Sequence, residues 1–261
     1  LAAQSFVALS FEQPEMAALI DGVGVLRVLE TLYQVNPEIK FYQASTSELF
    51  GKVQEIPQNE NTKFYPRSPY ACAKLYGHSI TINYREAYDM YACSGILFNH
   101  ESPMRGSEFV TRKITKGVCN FLNTKEPVTL GTIEAQRDWG HAEDYVEGMR
   151  LMLQQDKPDD YVLATGECYS VKEFADMVLD KLAIEHTWGK KRVGEIFIDE
   201  CYDFNGNVII TTDEKYKRPA EVDLLIGDST KAREQLGWKP KHDINSLIDD
   251  MLKWDLKRAN L

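Results

Sequence analysis

A hydroxyl, a carboxylate, a phenol and an ammonium stand within thirty residues of one another here, on Thr46, Glu48, Tyr70 and Lys74. Tyr70 and Lys74 are four residues apart, so a helix sets both side chains on one face. A lysine close to a phenol favours the phenolate, because it places a positive charge beside it. Tyr70 can then act as a base for an alcohol proton near neutral pH, far below its unperturbed pKa of roughly 10. Thr46 can hydrogen-bond the same alcohol oxygen, and Glu48 can take or return a second proton. Taken alone, a tyrosine and a lysine at this spacing are ordinary helix residues, a packed ring and a solvated ammonium. The four groups together point to proton chemistry on a sugar alcohol.

The flanking residues say what must hold these groups. Lys40-Phe41-Tyr42-Gln43-Ala44 is a short apolar and aromatic run that reads as a buried strand. Thr46 and Glu48 therefore fall where a strand runs out into a loop, and open α/β sheets bind ligands at the carboxyl ends of their strands. Pro69 suits the first turn of a helix that runs to about Tyr88 and carries Tyr70 and Lys74. Between the two lies a polar loop, Gly51 to Arg67, of a length that is usually functional.

The rest of the chain alternates in the same way. Pro14 opens a helical pattern in which Ala17, Ile20, Val23, Leu26 (or Val25), Leu29 and Leu32 recur, and Asn36-Pro37 ends it. Cys93–Phe98 is the next buried strand and delivers Asn99-His100-Glu101-Ser102-Pro103 at its carboxyl end. A helix from about Glu108 to Leu122 and a strand at Val128–Leu130 follow. Arg137-Asp138-Trp139-Gly140-His141 then leads into a helix, a strand spans Asp160–Thr165, and Ser170 caps a helix reaching about Leu182. Residues 186–215 hold only short β-like runs (Ile196–Ile198, Val208–Thr211), and two helical patterns, Ser229–Leu236 and Asn245–Arg258, close the chain. Strands alternating with helices predict an α/β fold with a doubly wound parallel sheet, and the last third reads as a smaller α+β lobe. The expected division is 1–130 for the sheet domain and 131–261 for the lobe, with the chain crossing between them.

Composition removes several function classes. Hydrophobic residues make up 43% and charged residues 27%, which predicts a packed soluble core. A net charge of −10 argues against the basic surface that nucleic-acid binding needs. No apolar run approaches the roughly 20 residues of a membrane helix. Five cysteines with no CxxC pair and five histidines with no HxxxH pattern predict reduced thiols in a cytoplasmic protein and no metal site.

Five segments carry a more specific likeness: Ala44-Ser45-Thr46-Ser47-Glu48-Leu49-Phe50-Gly51, Phe64-Tyr65-Pro66-Arg67-Ser68-Pro69-Tyr70, Leu97-Phe98-Asn99-His100-Glu101-Ser102-Pro103, Arg137-Asp138-Trp139-Gly140-His141 and Arg218-Pro219-Ala220-Glu221-Val222. With them the chain resembles the extended short-chain dehydrogenase/reductase superfamily and, within it, the GDP-mannose 4,6-dehydratase family, over essentially its whole length. The resemblance implies a Rossmann-like sheet, NADP as cofactor, GDP-mannose as substrate, and a redox-neutral dehydration on the way to GDP-fucose and other GDP-deoxysugars. It implies that Thr46, Glu48, Tyr70 and Lys74 are catalytic. It further implies that Ala2, Ala3, Gln4, Ser5, Lys74, His100 and Arg105 contact the cofactor, and that Asn99, Lys113, Arg137, Arg218 and Glu221 contact the nucleotide sugar. A homodimer or homotetramer is expected. Glu48 separates a dehydratase from a simple epimerase, which needs no base for C5.

The chain departs from the family at three places. Met104-Arg105 stands where two arginines are usual, and Phe6 where a histidine is common. A GxxGxxG strand–turn–helix is expected ahead of Leu1, within roughly 80 residues carrying the first strands of the Rossmann sheet. The nearest glycine cluster, Asp21-Gly22-Val23-Gly24, lies inside a helical pattern. Two other readings therefore stand beside the first: another nucleotide-sugar dehydratase or epimerase, and a non-catalytic remnant that binds GDP-sugar.

Overall fold

The computed structural model describes residues 1–217 and 219–259. Helices α1 (Val7–Glu12) and α2 (Pro14–Ala17) lead into a π-helical turn, Ala18–Val23, and then α3 (Gly24–Val35). Strand β1 (Phe41–Thr46) runs into a 3-10 turn, Ser47–Leu49, and the long loop that follows ends at α4 (Pro69–Tyr88). Then come β2 (Ala92–Leu97), β3 (Asn99–Glu101), α5 (Val110–Thr124), β4 (Val128–Leu130), β5 (Gln136–Arg137) and β6 (Trp139–His141). The remainder comprises α6 (Ala142–Leu153), β7 (Asp160–Leu163), β8 (Tyr169–Ser170), α7 (Val171–Lys181), β9 (His186–Val193), β10 (Ile196–Asp203), β11 (Val208–Thr212), β12 (Leu224–Leu225), α8 (Thr230–Leu236) and α9 (Ile244–Ala259). No helix among the described residues is long and apolar enough to cross a membrane.

The elements gather into two units: residues 1–100, 138–167 and 224–241 in the first, and 101–137, 168–223 and 242–261 in the second. In the first, β1, β2 and β7 form a parallel sheet with β2 in the middle, Thr46 paired with Leu97 and Leu97 with Leu163. Every residue of β2 is buried, as a parallel strand covered on both faces must be. One face of the sheet carries Tyr145, Met152, Leu163, Leu236 and Trp238, packed with Cys93 and Leu97. Trp238 satisfies its indole N–H on the Asp144 carbonyl at 2.7 Å. On the other side α4 begins with Ser68, whose hydroxyl accepts the Ala71 N–H at 3.0 Å, and Pro69, whose missing N–H costs nothing in a first turn. Arg85 of α4 holds Asp160 of β7 in a two-pronged ion pair at 2.8 and 3.0 Å.

The helical pattern from Pro14 onward carries one residue too many for a single face. The π turn absorbs it, so Ile20, expected inward, is 42% exposed, while Asp21 and Leu29 are buried. Gly22 serves helix packing: a Cβ there would stand 3.3 Å from the Ala73 carbonyl of α4. Gly77 answers from α4, where a Cβ would stand 3.0 Å from the Asp21 carbonyl.

The second unit is built on a four-stranded sheet in the order β4-β11-β10-β9, with β4 and β11 parallel and the other pairs antiparallel. The short β-like runs expected between 186 and 215 are here two paired strands of eight residues and a third of five. The sequence hid β9 because His-Thr-Trp-Gly-Lys-Lys-Arg-Val lies mostly exposed at a sheet edge and shows no apolar alternation. Gly194, at φ +62°, turns the hairpin between β9 and β10. A buried ion pair between Arg112 and Asp255 ties α5 to α9, and Ser170 and Glu173 close a capping box at the head of α7.

Candidate active site

Thr46 is the last residue of β1 and caps the 3-10 turn that follows, its hydroxyl accepting the Glu48 N–H at 3.3 Å. Both side chains are buried. Gly51 then takes φ +51°, and a Cβ there would lie 1.9 Å from the Tyr65 carbonyl, so only glycine fits. At that approach the far end of the long loop is fastened to the turn: Tyr65 N–H donates to Leu49 O at 2.9 Å and Lys52 N–H to Tyr65 O at 3.0 Å. Phe50 packs between Phe64 and Phe98, with ring centroids 5.3 and 6.0 Å away. The turn bearing Glu48 is thus held from the strand side and from the loop side.

Tyr70 and Lys74, on the first two turns of α4, are both buried. Lys74 reaches across to β1 and donates to the Ala44 carbonyl at 2.7 Å, and its ammonium lies 5.9 Å from the centre of the Tyr70 ring. One side-chain-to-backbone hydrogen bond therefore links the helix carrying the phenol to the strand carrying Thr46. Burial pulls the Lys74 pKa below its ordinary value, and the carboxylate of Asp21 opposes that pull.

Asp21 was not among the residues expected at this site. It sits in the π turn, fully enclosed, and burial raises its pKa against the Gln4 N–H, which donates to Asp21 Oδ1 at 2.8 Å, and the charge of Lys74. The signal was present in the sequence as one acid inside an otherwise apolar helical stripe. Through it the segment Ala2-Ala3-Gln4-Ser5 is fixed at Gln4, while Ala2, Ala3 and Ser5 are exposed.

Asn99 and His100 follow one residue after the carboxyl end of β2. The His100 Nδ1 lies 2.8 Å from the Phe98 carbonyl, and the ring stacks on Tyr145 at 4.9 Å and 22°. A carbonyl can only accept, so Nδ1 carries the proton. In the same unit Asp138 is fully buried and receives the N–H and hydroxyl of Thr165 at 2.9 and 2.7 Å, and the N–H groups of Gly166 and Gly227 at 2.9 and 3.3 Å. Burial raises the pKa of Asp138 and these donors lower it, the first effect prevailing.

The second unit holds the other expected residues. Arg105 lies 3.2 Å from Glu101 and 3.5 Å over the Phe109 ring. Lys113 is half-buried on the first turn of α5, its pKa lowered by burial, and its ammonium lies 4.6 Å from the centre of the Tyr216 ring. Arg137 is buried in β5 and pairs with Glu221 at 3.3 Å, so two residues 84 positions apart share one cluster. Arg218 lies outside the described residues. Thr46, Glu48, Tyr70, Lys74, Gln4, Asn99 and His100 belong to the first unit; Arg105, Lys113, Arg137 and Glu221 belong to the second.

A family model described as GDP-mannose 4,6 dehydratase matches residues 1–251. The chain is 53% identical over 260 residues to the GDP-mannose 4,6 dehydratase of Drosophila melanogaster, covering 98% of this chain and 65% of that one. It is 51% identical over 261 residues to the human protein of the same name, covering 98% and 69%. The chain thus spans about two thirds of the length of these relatives. Among solved structures it is similar to RMD from Pseudomonas aeruginosa complexed with NADPH, with a TM-score of 0.81 at 20% identity, over 99% of this chain and 80% of that one. A dTDP-glucose 4,6-dehydratase from Bacillus anthracis in complex with NAD gives 0.77 at 18%, over 100% and 72%. At these identities the structures share the fold.

Proposed function

This chain belongs to the GDP-mannose 4,6-dehydratase family, and on that premise we propose that the protein is a lyase converting GDP-α-D-mannose to GDP-4-dehydro-6-deoxy-α-D-mannose and water. The observation that carries this proposal is Glu48, a buried carboxylate one turn beyond Thr46 and on the same strand end that Lys74 reaches through the Ala44 carbonyl. An epimerase has no use for that carboxylate.

Tyr70 takes the proton of the sugar 4-hydroxyl, with the ammonium of Lys74 favouring the phenolate. Thr46 hydrogen-bonds the same oxygen. NADP, held by Lys74 and the other proposed cofactor contacts, would supply the reversible hydride store that a redox-neutral dehydration needs. Once C4 is a ketone its neighbour C5–H is acidic, and Glu48 removes that proton. Glu48 then returns it to the 6-hydroxyl, which leaves as water. The proton held on Tyr70 balances the one that returns to C5, so protons and electrons close over the cycle.

The residues fit a nicotinamide–ribose end. Lys74 uses one of its N–H donors on Ala44, which leaves two for ribose hydroxyls. Ala2, Ala3, Gln4, Ser5, His100 and Arg105 complete the proposed cofactor contacts. Asn99, Lys113, Arg137, Arg218 and Glu221 are the proposed contacts to GDP-mannose. Arginine meets a diphosphate in two-pronged fashion and lysine as a point charge. We assign the enzyme to the cytoplasm, as a homodimer or homotetramer, at the first step towards GDP-fucose and other GDP-deoxysugars.

The test is a nucleotide-sugar assay on the purified protein with NADP. A 4-keto-6-deoxy product from GDP-mannose, and none from uridine or thymidine sugars, is expected. Turnover of a uridine or thymidine sugar without turnover of GDP-mannose sinks the guanine assignment.

A further inference from the structure

Among the described residues Lys113 has no counter-ion. Its ammonium is half-buried, burial alone perturbs it, and no carboxylate among the described residues comes within salt-bridge reach. The group beside it is an aromatic face, that of Tyr216, with 4.6 Å between the ammonium and the ring centre. The backbone that carries the ring is well fixed. It sits on a 3-10 turn, Glu214–Tyr216, whose capping residue Asp213 donates its N–H to the Leu130 carbonyl at the end of β4, at 2.9 Å. The Asp213 side chain accepts the Lys215 N–H at 2.9 Å, and its carbonyl accepts the Tyr216 N–H at 3.1 Å. The Tyr216 carbonyl packs so closely on Gly131 that a Cβ there would stand 2.4 Å from it.

Lys215 also lies against the ring and Lys217 follows it in sequence, and both are paired with carboxylates. Lys215, 4.8 Å from the ring centre, pairs with Asp213 at 3.1 Å, and Lys217 pairs with Glu214 at 2.5 Å. Lys113 alone of the three keeps its charge unanswered.

We infer that Tyr216 is the positioning residue for Lys113, a cation–π seat that fixes the ammonium without neutralising it and so keeps its full charge for a diphosphate. A carboxylate in that place would hold Lys113 equally well but would compete with the incoming phosphates. The ring face attracts the cation and offers it no opposing charge to shed. This inference rests on the proposal that Lys113 meets the diphosphate of a GDP-sugar, and it adds a residue whose contribution is aromatic and indirect.

The experiment is a calorimetric titration of the full chain with GDP, paired with the KM and kcat for GDP-mannose. Tyr216→Leu is expected to weaken GDP binding and raise KM about tenfold, with kcat kept within about twofold. Tyr216→Phe, which retains the ring, restores most of the loss. Fluorinated phenylalanines at 216 weaken binding in step with fluorine number, because fluorine drains the ring face of negative potential. In a Lys113→Met background the sensitivity to residue 216 disappears. Thermal melts of each variant identify any that misfold, and the fluorinated series changes charge distribution with little change of shape. The inference is overturned if Tyr216→Leu binds GDP as the parent does, if fluorination has no graded effect, or if the sensitivity survives in Lys113→Met. Should GDP-mannose turn over normally while these fail, the dehydratase assignment stands and only the role of Tyr216 falls. A parent protein that neither binds GDP nor turns over GDP-mannose overturns both.

Discussion

Replacing Lys74 by methionine isolates the charge that the proposed mechanism needs. Methionine matches the length and burial of the lysine stem and removes only the ammonium. The ammonium lies 5.9 Å from the centre of the Tyr70 ring. At an effective dielectric of about 20, a unit charge at that distance stabilises a phenolate by about 3 kcal/mol. That corresponds to about a hundredfold in the rate of a step that needs the phenolate. Stability should change far less. The Ala44 carbonyl loses its donor, at a cost of about 1–3 kcal/mol, while the burial of a cation is relieved. The assay is product formation from GDP-mannose between pH 6 and 10, alongside a thermal melt. Lys74→Met should be about a hundredfold slow at pH 7, should recover most of that deficit in alkali where hydroxide strips the phenol, and should melt within several degrees of the parent. A deficit of the same size at every pH would refute the electrostatic role and leave Lys74 a binding residue.

Three other perturbations have outcomes set by the geometry. Glu48→Gln should lower dehydration at least about a hundredfold while calorimetry shows GDP-mannose affinity nearly unchanged, because the residue handles protons and not binding. Gly51→Ala meets the Tyr65 carbonyl and a left-handed backbone together, and should cost about 3 kcal/mol, read as a fall in melting temperature of about 6–12 °C. Arg85→Ala strips Asp160 of its partner and should cost about 3 kcal/mol in urea unfolding at pH 7. Burial pushes the Asp160 pKa up, but the hydrogen bonds and charge of Arg85, with His78, hold it below its ordinary 3.8. The stability it provides is therefore present above that value and is lost as pH falls through the lower, folded-state value, so parent and Arg85→Ala should converge in acid.

Several features were legible because one residue type decides them. Pro69 after Ser68 set the start of α4, and with it the shared face of Tyr70 and Lys74. The apolar run Lys40–Ala44 marked β1, which continues two residues further, to Thr46. The ambiguity between Val25 and Leu26 as the inward residue was the trace of the π turn: helical periodicity assumes 3.6 residues per turn, and one extra residue changes the face without changing the composition. Asp21 was lost in that ambiguity, since a carboxylate in an apolar stripe looks like an error until the frame shift shows which way it points. Tyr216 gave no signal, because its neighbours Lys215 and Lys217 make the stretch look solvated, and its partner Lys113 is a hundred residues away in sequence. Chain-distant pairs of this kind, Arg137 with Glu221 included, are set by tertiary packing.

The first unit draws its sheet and core from three separated stretches of chain, and this fixes the order in which the molecule can be made. β1 and β2 are complete long before β7, the strand that pairs with the far edge of β2. Trp238, which seals the core over Cys93 and Leu97, leaves the ribosome roughly 190 residues after Thr46, a delay of about 10–40 s at ordinary synthesis rates. Until α6 emerges the apolar face of that sheet is uncovered, and from then until Trp238 follows it is covered only in part, by Tyr145 and Met152. Chaperones that shield apolar surface should therefore bind this nascent chain until residue 238 has emerged, and arrested chains ending before and after that point should differ sharply in their chaperone occupancy.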